Sequence, residues 1–231
     1  MDIRILRLLE GAKKAEGITV IIDVFRAFTL EAYMFAQNAY SIRPIASLEE
    51  ARELKQRDPE SLLFGERGGA RAEGCDFGNS PSSIFGTDLT GKRIIHTTSA
   101  GTQGISAAVH AQEILTGSFV NAAATARYIC SRQPDTVCLV AMGNAGIRDT
   151  EEDLLCAEYL KALIEGSEYP DIDRKLDELR YLEGKKFFDP AQQDRFPQAD
   201  FDLCIKRDIF DFVIRVERTE GGFRSIRILH E

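Results

Sequence analysis

Short apolar, β-branched runs alternate with helix-length segments from residue 18 to residue 165, and this confines the chain to a small set of folds. Residues 18–22 read as a buried strand, 28–37 as a helix and 40–46 as a second strand. Ser47-Leu48-Glu49-Glu50 is a capping-box start whose helix runs to the Asp58-Pro59 break. Further strands are expected at 62–64, 93–96, 113–116 and 136–142. Helices are expected at 103–111, at 121–131 with Asn121 as its cap, and at 150–165. Alternation of this kind implies a largely parallel sheet with helices on both faces. The last third differs: 171–182 has helical spacing, and 187–197 reads as a polar connector. Phe210, Phe212, Ile214 and Val216 then alternate at strand spacing, and Glu220-Gly221-Gly222 turns the chain back through 223–229. This predicts a C-terminal antiparallel hairpin added at the edge of the sheet. With 231 residues and no internal repeat, the whole chain, 1–231, is expected to form a single domain.

Residues 65–81, G-E-R-G-G-A-R-A-E-G-C-D-F-G-N-S-P, fit none of these elements. Long loops inside a compact domain are usually functional or disordered, and the closely packed charges of mixed sign separate this one from a disordered tract. Its glycines let backbone amides approach a ligand, and adjacent arginine and carboxylate groups suit an anion beside a metal. The alternative is a surface loop with solvated ion pairs. The net charge of −8 argues against a general nucleic-acid binder but not against a small anionic substrate. No apolar run reaches membrane-spanning length, so no membrane partner is expected. The N-terminus lacks the apolar core of a signal peptide. The five cysteines are widely spaced without a C-x-x-C pair, which indicates neither a disulfide framework nor a zinc site, and a cytoplasmic location is expected. His96, His110 and His230 give no metal-ligand spacing.

In open α/β sheets ligands bind beyond the carboxyl ends of the strands. That rule selects Asp23-Val24-Phe25-Arg26, Glu66-Arg67, Thr97-Thr98-Ser99-Ala100-Gly101-Thr102 and the loop from Gly143 into Glu151-Glu152-Asp153. Simpler roles exist for each: Asp23 as a helix cap, Arg26 as an ion-pair partner, the threonines in local hydrogen bonds, and the acidic run in a helix's first turn. Together they offer hard carboxylate oxygens suited to Mg²⁺, hydroxyls at a helix entry, and arginine forks suited to phosphate or sulfonate. Neither G-x-x-x-x-G-K-[ST] nor G-x-G-x-x-G occurs.

Taken in order, Asp23-Val24-Phe25-Arg26-Ala27-Phe28-Thr29, Gly65-Glu66-Arg67-Gly68-Gly69, Gly74-Cys75-Asp76-Phe77-Gly78-Asn79-Ser80-Pro81, Thr97-Thr98-Ser99-Ala100-Gly101-Thr102 and Thr150-Glu151-Glu152-Asp153 form a family pattern. The chain resembles the 2-phosphosulfolactate phosphatases of coenzyme M biosynthesis and their bacterial relatives. It departs from their pattern at Phe28, Cys75, Ser99-Ala100 and Thr150. The resemblance implies a three-layer α/β/α fold with a mixed sheet. It also implies a Mg²⁺-dependent phosphatase that converts (2R)-2-phospho-3-sulfolactate, or a closely related phosphorylated hydroxy-acid, to the free hydroxy-acid and phosphate. On that reading Asp23, Glu66, Asp76 and Asp153 supply or orient metal ligands. Arg26 and Arg67 hold phosphoryl oxygens, aided by Thr97, Thr98 and the amides leading to Gly101. Glu152 serves as base for the attacking water, and Asn79 and Ser80 orient the organic part of the substrate. Asp23 as a nucleophile is the alternative route. Two other readings stay open: a non-catalytic anion-binding protein with the same fold, and a lyase or isomerase acting on a phosphorylated small acid. An open edge at 210–216 makes a homodimer possible.

Overall fold

The structure, a computed structural model, describes residues 1–229, so His230 lies outside the described residues. The chain opens with β1 (Asp2–Arg7), α1 (Leu8–Lys13), β2 (Gly17–Ile22), α2 (Ala27–Ala36), β3 (Ser41–Pro44) and α3 (Leu48–Arg57). Next come β4 (Leu62–Arg67), β5 (Ala70–Arg71), β6 (Arg93–Thr97), α4 (Gly101–Ala107) and β7 (Ala111–Gly117). The remainder is α5 (Ala122–Arg132), β8 (Thr136–Ala141), α6 (Glu151–Glu165), α7 (Ile172–Glu178), α8 (Gln198–Cys204), β9 (Phe212–Thr219) and β10 (Gly222–Leu229). The strands form one mixed sheet in the order β1-β8-β2-β7-β9-β10-β3-β6-β4-β5.

The period of the buried strands builds the layers. In β2, Val20 and Ile22 pack with Ala126 and Ile129 of α5 and Leu160 of α6, whereas Ile21 packs with Ala12 of α1 and Ile105 of α4. Successive side chains point to opposite faces, so a strand apolar at every position requires a helical layer on each side. α2 is also apolar nearly all round, and Leu30, Met34 and Phe35 fill a third cluster with Ile42, Ile94 and Ile214. Ser47 caps α3 as expected, its Oγ accepting from the Glu50 amide. Asn121 precedes α5 but does not cap it; its side-chain amide donates to the Phe212 carbonyl instead.

The hairpin lies in the middle of the sheet rather than at its edge. β9 pairs antiparallel with β7, and β10 pairs antiparallel with both β9 and β3. The hairpin thus joins one parallel group, β1-β8-β2-β7, to another, β3-β6-β4. The charges on β9 suggest an exposed strand, but they are satisfied within the sheet: Glu217 accepts from Arg215 and from Arg224 across the hairpin. Val213 and Ile214 are buried on opposite faces. The 210–216 segment is therefore not an open edge. β1 is an edge strand, formed by Ile3 and Ile5 alternating with Asp2 and Arg4, a period-2 signal in a stretch that reads as a charged terminus.

By these pairings the two parallel groups run in opposite senses, yet the residues after β2 and β6 meet: the Gly101 amide donates to Asp23 Oδ2 at 2.9 Å.

One buried group opposes the fold. Glu31 on α2 is fully buried, and both its oxygens, like the hydroxyls of Thr116 and Ser225, lack a hydrogen-bond partner. Burial pushes its carboxyl from 4.5 up to about 7, only partly countered by the nearby Ser225 and Thr116 hydroxyls. Because the folded-state value is the raised one, stability is fully present below pH 4.5 and declines as the pH rises through 7, by about 3 kcal/mol from this group. Glu31→Gln is expected to remove that decline, so the variant's melting temperature exceeds the parent's at pH 8 and not at pH 4. Melting curves at the two pH values test this; a difference independent of pH would remove Glu31 as the source.

Candidate active site

A cleft of about 480 Å³ collects Asp23 from the end of β2, Glu66 from β4, and Glu152 and Asp153 from the first turn of α6. Three of these carboxylates hold backbone. Asp23 accepts from the amides of Ala27 (3.4 Å) and Gly101 (2.9 Å). Asp153 bridges the ends of β2 and β8 through the amides of Val24 (2.8 Å) and Gly143 (2.7 Å). Glu66 accepts from Gly69 (2.6 Å) and Ser99 (2.7 Å), tying the glycine loop to the turn after β6. Gly101 is required here, since a Cβ would stand 2.8 Å from the Phe28 ring and 2.9 Å from Asp23 Oδ2.

Glu152 differs from the other three. Its Oε2 is buried without a hydrogen-bond partner, and so is the hydroxyl of Thr150, also in the cleft wall. Buried polar atoms are rarely left unpaired, and those facing a cleft point to a ligand. The electrostatics agree. Burial, with the charge of Glu66 beside it, pushes Asp23 up to about 6. Burial pushes Glu152 up to about 7 against the opposing pull of Lys186 and, more weakly, of the nearby Thr150 hydroxyl, which lies outside hydrogen-bonding geometry. Asp153 is raised well above the ordinary carboxylate value by burial and by the Glu152 and Asp23 charges. Burial at the floor of the cleft thus favours the protonated form of all three carboxyls, and repulsion from neighbouring carboxylates adds to it at Asp23 and Asp153.

Among the described residues, no group of three or more Asp, Glu, His or Cys side chains converges to hold a metal ion. Mg²⁺ seldom occupies such all-protein cages; one or two carboxylates, waters and substrate phosphate usually complete its shell. Asp23 and Asp153 are donors of that kind, and the unpaired Glu152 oxygen belongs to the same cleft wall.

The opposite wall comes from the segment between α7 and α8, a series of 3₁₀ turns at Leu179–Tyr181, Glu183–Phe188 and Pro190–Gln192. It brings Glu183, Lys186, Gln192, Arg195 and Phe196 to the cleft. The ammonium of Lys186 lies 5.3–5.9 Å from the Phe25, Phe187 and Phe196 rings and 3.7 Å from Glu183. Arg26 follows a cis Phe25–Arg26 peptide. Its Nη1 donates to Asp200 Oδ2 (2.6 Å) and its Nη2 to the Gly69 carbonyl (2.7 Å), and the guanidinium lies 5.0 Å from the Phe196 ring. Asp200 Oδ1 accepts from Ser80 Oγ (2.8 Å), Ser82 N (2.9 Å) and Ser82 Oγ (2.7 Å).

The cleft therefore gathers Asp23, Arg26, Glu66, Asn79, Glu152 and Asp153 from the residues selected by sequence. Asn79 Oδ1 lies 3.1 Å from His96 Nε2. Burial pushes His96 down to about 4, so the imidazole is neutral. The other selected residues lie behind the cleft, for identifiable reasons. Arg67 spends its guanidinium on the carbonyls of Glu66 and Ala46 and on Thr97 Oγ1, which braces β4 against β6. Asp76 accepts from the Leu63 amide and pairs with Lys55 at 3.1 Å, outside the cleft lining. Thr98 Oγ1 accepts from the Thr102 amide at the entry to α4, a local role. Ser80 holds Asp200, and Gly101 holds Asp23, so both position other residues. Phe28, one of the departures, is a core residue beneath Gly101 and outside the cleft lining.

Asp200, Lys186, Arg195 and Phe196 escaped the sequence reading because 187–197 looked like a polar connector and α8 carried no helix signal. The available cue was Lys186 and Arg195 each beside a phenylalanine in an otherwise polar tract.

Comparison with known proteins bears on this cleft. A family model described as 2-phosphosulpholactate phosphatase matches residues 4–219. A probable 2-phosphosulfolactate phosphatase of Caldicellulosiruptor saccharolyticus is 34% identical over 217 residues, covering 86% of this chain and 88% of the relative. One from Bacillus subtilis is 31% identical over 204 residues, covering 87% of each. One from Carboxydothermus hydrogenoformans is 38% identical over 165 residues, covering 71% of this chain and 68% of the relative.

Proposed function

Since this chain belongs to the 2-phosphosulfolactate phosphatase family, we propose that it hydrolyses the phosphoric monoester of a small hydroxy-acid in this cleft, with (2R)-2-phospho-3-sulfolactate as substrate and Mg²⁺ as cofactor. The observation that carries the proposal is the unpartnered pair, Glu152 Oε2 and the Thr150 hydroxyl, in the wall of an acidic cleft. Asp23 and Asp153 would hold Mg²⁺, which when bound supplies Lewis-acid polarisation of a phosphoryl oxygen, and Glu152 is left free of the metal. Lys186, whose charge pulls on the carboxyls of Asp23 and Glu152, meets the negative charge of the phosphoryl group. Glu152 accepts the proton of the attacking water, because its oxygen is free while the Asp23 oxygens both hold backbone amides. The same difference favours direct attack by water over a nucleophilic Asp23. Asn79 and the amides around Ser99 orient the rest of the substrate, and Glu66 keeps those amides in place.

Phosphate release from 2-phosphosulfolactate, 2-phospholactate and phosphoglycolate, each assayed with Mg²⁺ and with EDTA, tests the proposal. The expected result is release that is fastest on the sulfonate, abolished by EDTA and restored by added Mg²⁺. Undiminished release in EDTA would overturn the metal assignment. No release from any of the three would overturn the hydrolase reading.

A further inference from the structure

The cleft contains three cations, and they are not equivalent. Arg26 is neutralised by Asp200 at 2.6 Å and is buried behind Phe196. Lys186 lies 3.7 Å from Glu183, and its charge also pulls on the carboxyls of Asp23 and Glu152. Arg195 lines the cleft but, among the described residues, its guanidinium makes neither an ion pair nor a hydrogen bond; its contact is with the Phe196 ring at 5.2 Å. It is exposed, and it lies against the glycine turn. A Cβ at Gly68 would stand 3.0 Å from Arg195 Nη2, and one at Gly69 would stand 2.3 Å from Phe196 Cζ. Both glycines have positive φ, +59° and +84°. The Gly68-Gly69 turn therefore makes room for the Arg195-Phe196 pair. Glu66 fixes that turn through the Gly69 amide, and Arg26 fixes it through the Gly69 carbonyl. Arg195 thus presents an exposed arginine fork at the cleft, beside the glycine turn and, among the described residues, without an anion.

We infer that Arg195 is a specificity-determining residue: its guanidinium receives the substrate's second anionic group, the carboxylate or sulfonate carried beside the phosphoryl ester. The inference rests on the hydrolase reading above. The charge of Lys186 acts on the floor, where the phosphoryl group is handled, and Arg195 lies against the glycine turn. The two cations thus address different parts of one molecule. A planar fork matches a carboxylate or sulfonate in bidentate fashion, which a lysine cannot reproduce.

The test is steady-state kinetics of the parent, Arg195→Gln and Arg195→Lys on three monoesters. These are 2-phosphosulfolactate, 2-phospholactate with the carboxylate alone, and glycerol 2-phosphate with no second anion. Arg195→Gln is expected to raise KM about 10- to 100-fold on the first two with kcat nearly unchanged, and to leave glycerol 2-phosphate unaffected. Arg195→Lys should recover only part of the loss. A larger loss on the sulfonate than on 2-phospholactate assigns Arg195 to the sulfonate, and equal losses assign it to the carboxylate. As a separate readout, 3-sulfolactate should raise the melting temperature of the parent and not of Arg195→Gln. Equal loss on all three esters, or no loss on any, would overturn the assignment while leaving the hydrolase reading intact. A parent that releases phosphate from none of them overturns that reading, and this assignment with it.

Discussion

Replacing Glu152 by glutamine is expected to lower kcat by roughly 10²–10⁴-fold without destabilising the protein. The side chain keeps its shape and loses only the capacity to accept a proton and to offer anionic oxygens. Its Oε2 has no protein hydrogen bond to lose. The stability effect has a definite sign. Burial raises the carboxyl from 4.5 to about 7, so its contribution is fully present below pH 4.5 and is lost as the pH rises through 7. Glutamine escapes that loss. Melted in EDTA, the variant should match the parent at pH 4 and exceed it at pH 8. An inactive enzyme that gains stability is what a strained catalytic group predicts. Turnover within threefold of the parent would remove Glu152 from the chemistry, and a lower melting temperature at pH 8 would show that its carboxylate supports the fold.

The second large effect is structural. Asp200→Ala should destabilise the protein by about 3–5 kcal/mol, because it strands the buried Arg26 guanidinium without a counter-charge. The side chains of the pair are 4% and 0% exposed, so water cannot substitute. The same change removes the acceptor for Ser80 and Ser82. It also releases the start of α8 from the cleft, and activity should fall with stability. A double variant, Arg26→Met with Asp200→Ala, separates the two causes. It should recover most of the stability and none of the activity, since no unpaired charge remains but the glycine turn has lost the Arg26 donor to Gly69. Denaturant unfolding and phosphate release on the three proteins decide the matter. An Asp200→Ala protein as stable as the parent would show that the pair contributes nothing to folding.

Much of the cleft was legible because its residues stand at strand ends, and strand ends are marked locally. A run such as Ile18–Ile22 declares a buried strand by composition alone, and whatever follows it is a candidate for the site; Asp23 was found this way. Glu66 and the acidic start of α6 were found by the same rule. Arg67 satisfies the rule as well as Glu66 does, and Asp76 is implied by the resemblance, yet they face Thr97 and Lys55 behind the cleft. A one-residue difference in a strand reverses the direction of a side chain, and no composition signal records which face a ligand will occupy. The connector from 187 to 197 was unreadable for another reason. Its 3₁₀ turns have no long period, and its aromatics are held by Arg26, Lys186 and one another rather than by a helix stripe.

What the sequence determined by itself is what short-range physics controls: the alternation of strands and helices, the layering that follows from strands apolar on both faces, the Ser47 cap, and the carboxylates at strand ends. What only the tertiary structure decided is the pairing order and the partners. The C-terminal hairpin reads as an addition at the edge, but in the sheet it becomes the joint between two parallel groups, with Glu217 pairing Arg215 and Arg224. Arg26 reads as a phosphate ligand until Asp200, 174 residues away, takes its charge. Strand order and long-range ion pairs depend on which distant surfaces meet, and that is fixed by the packing of the whole core rather than by any segment within it.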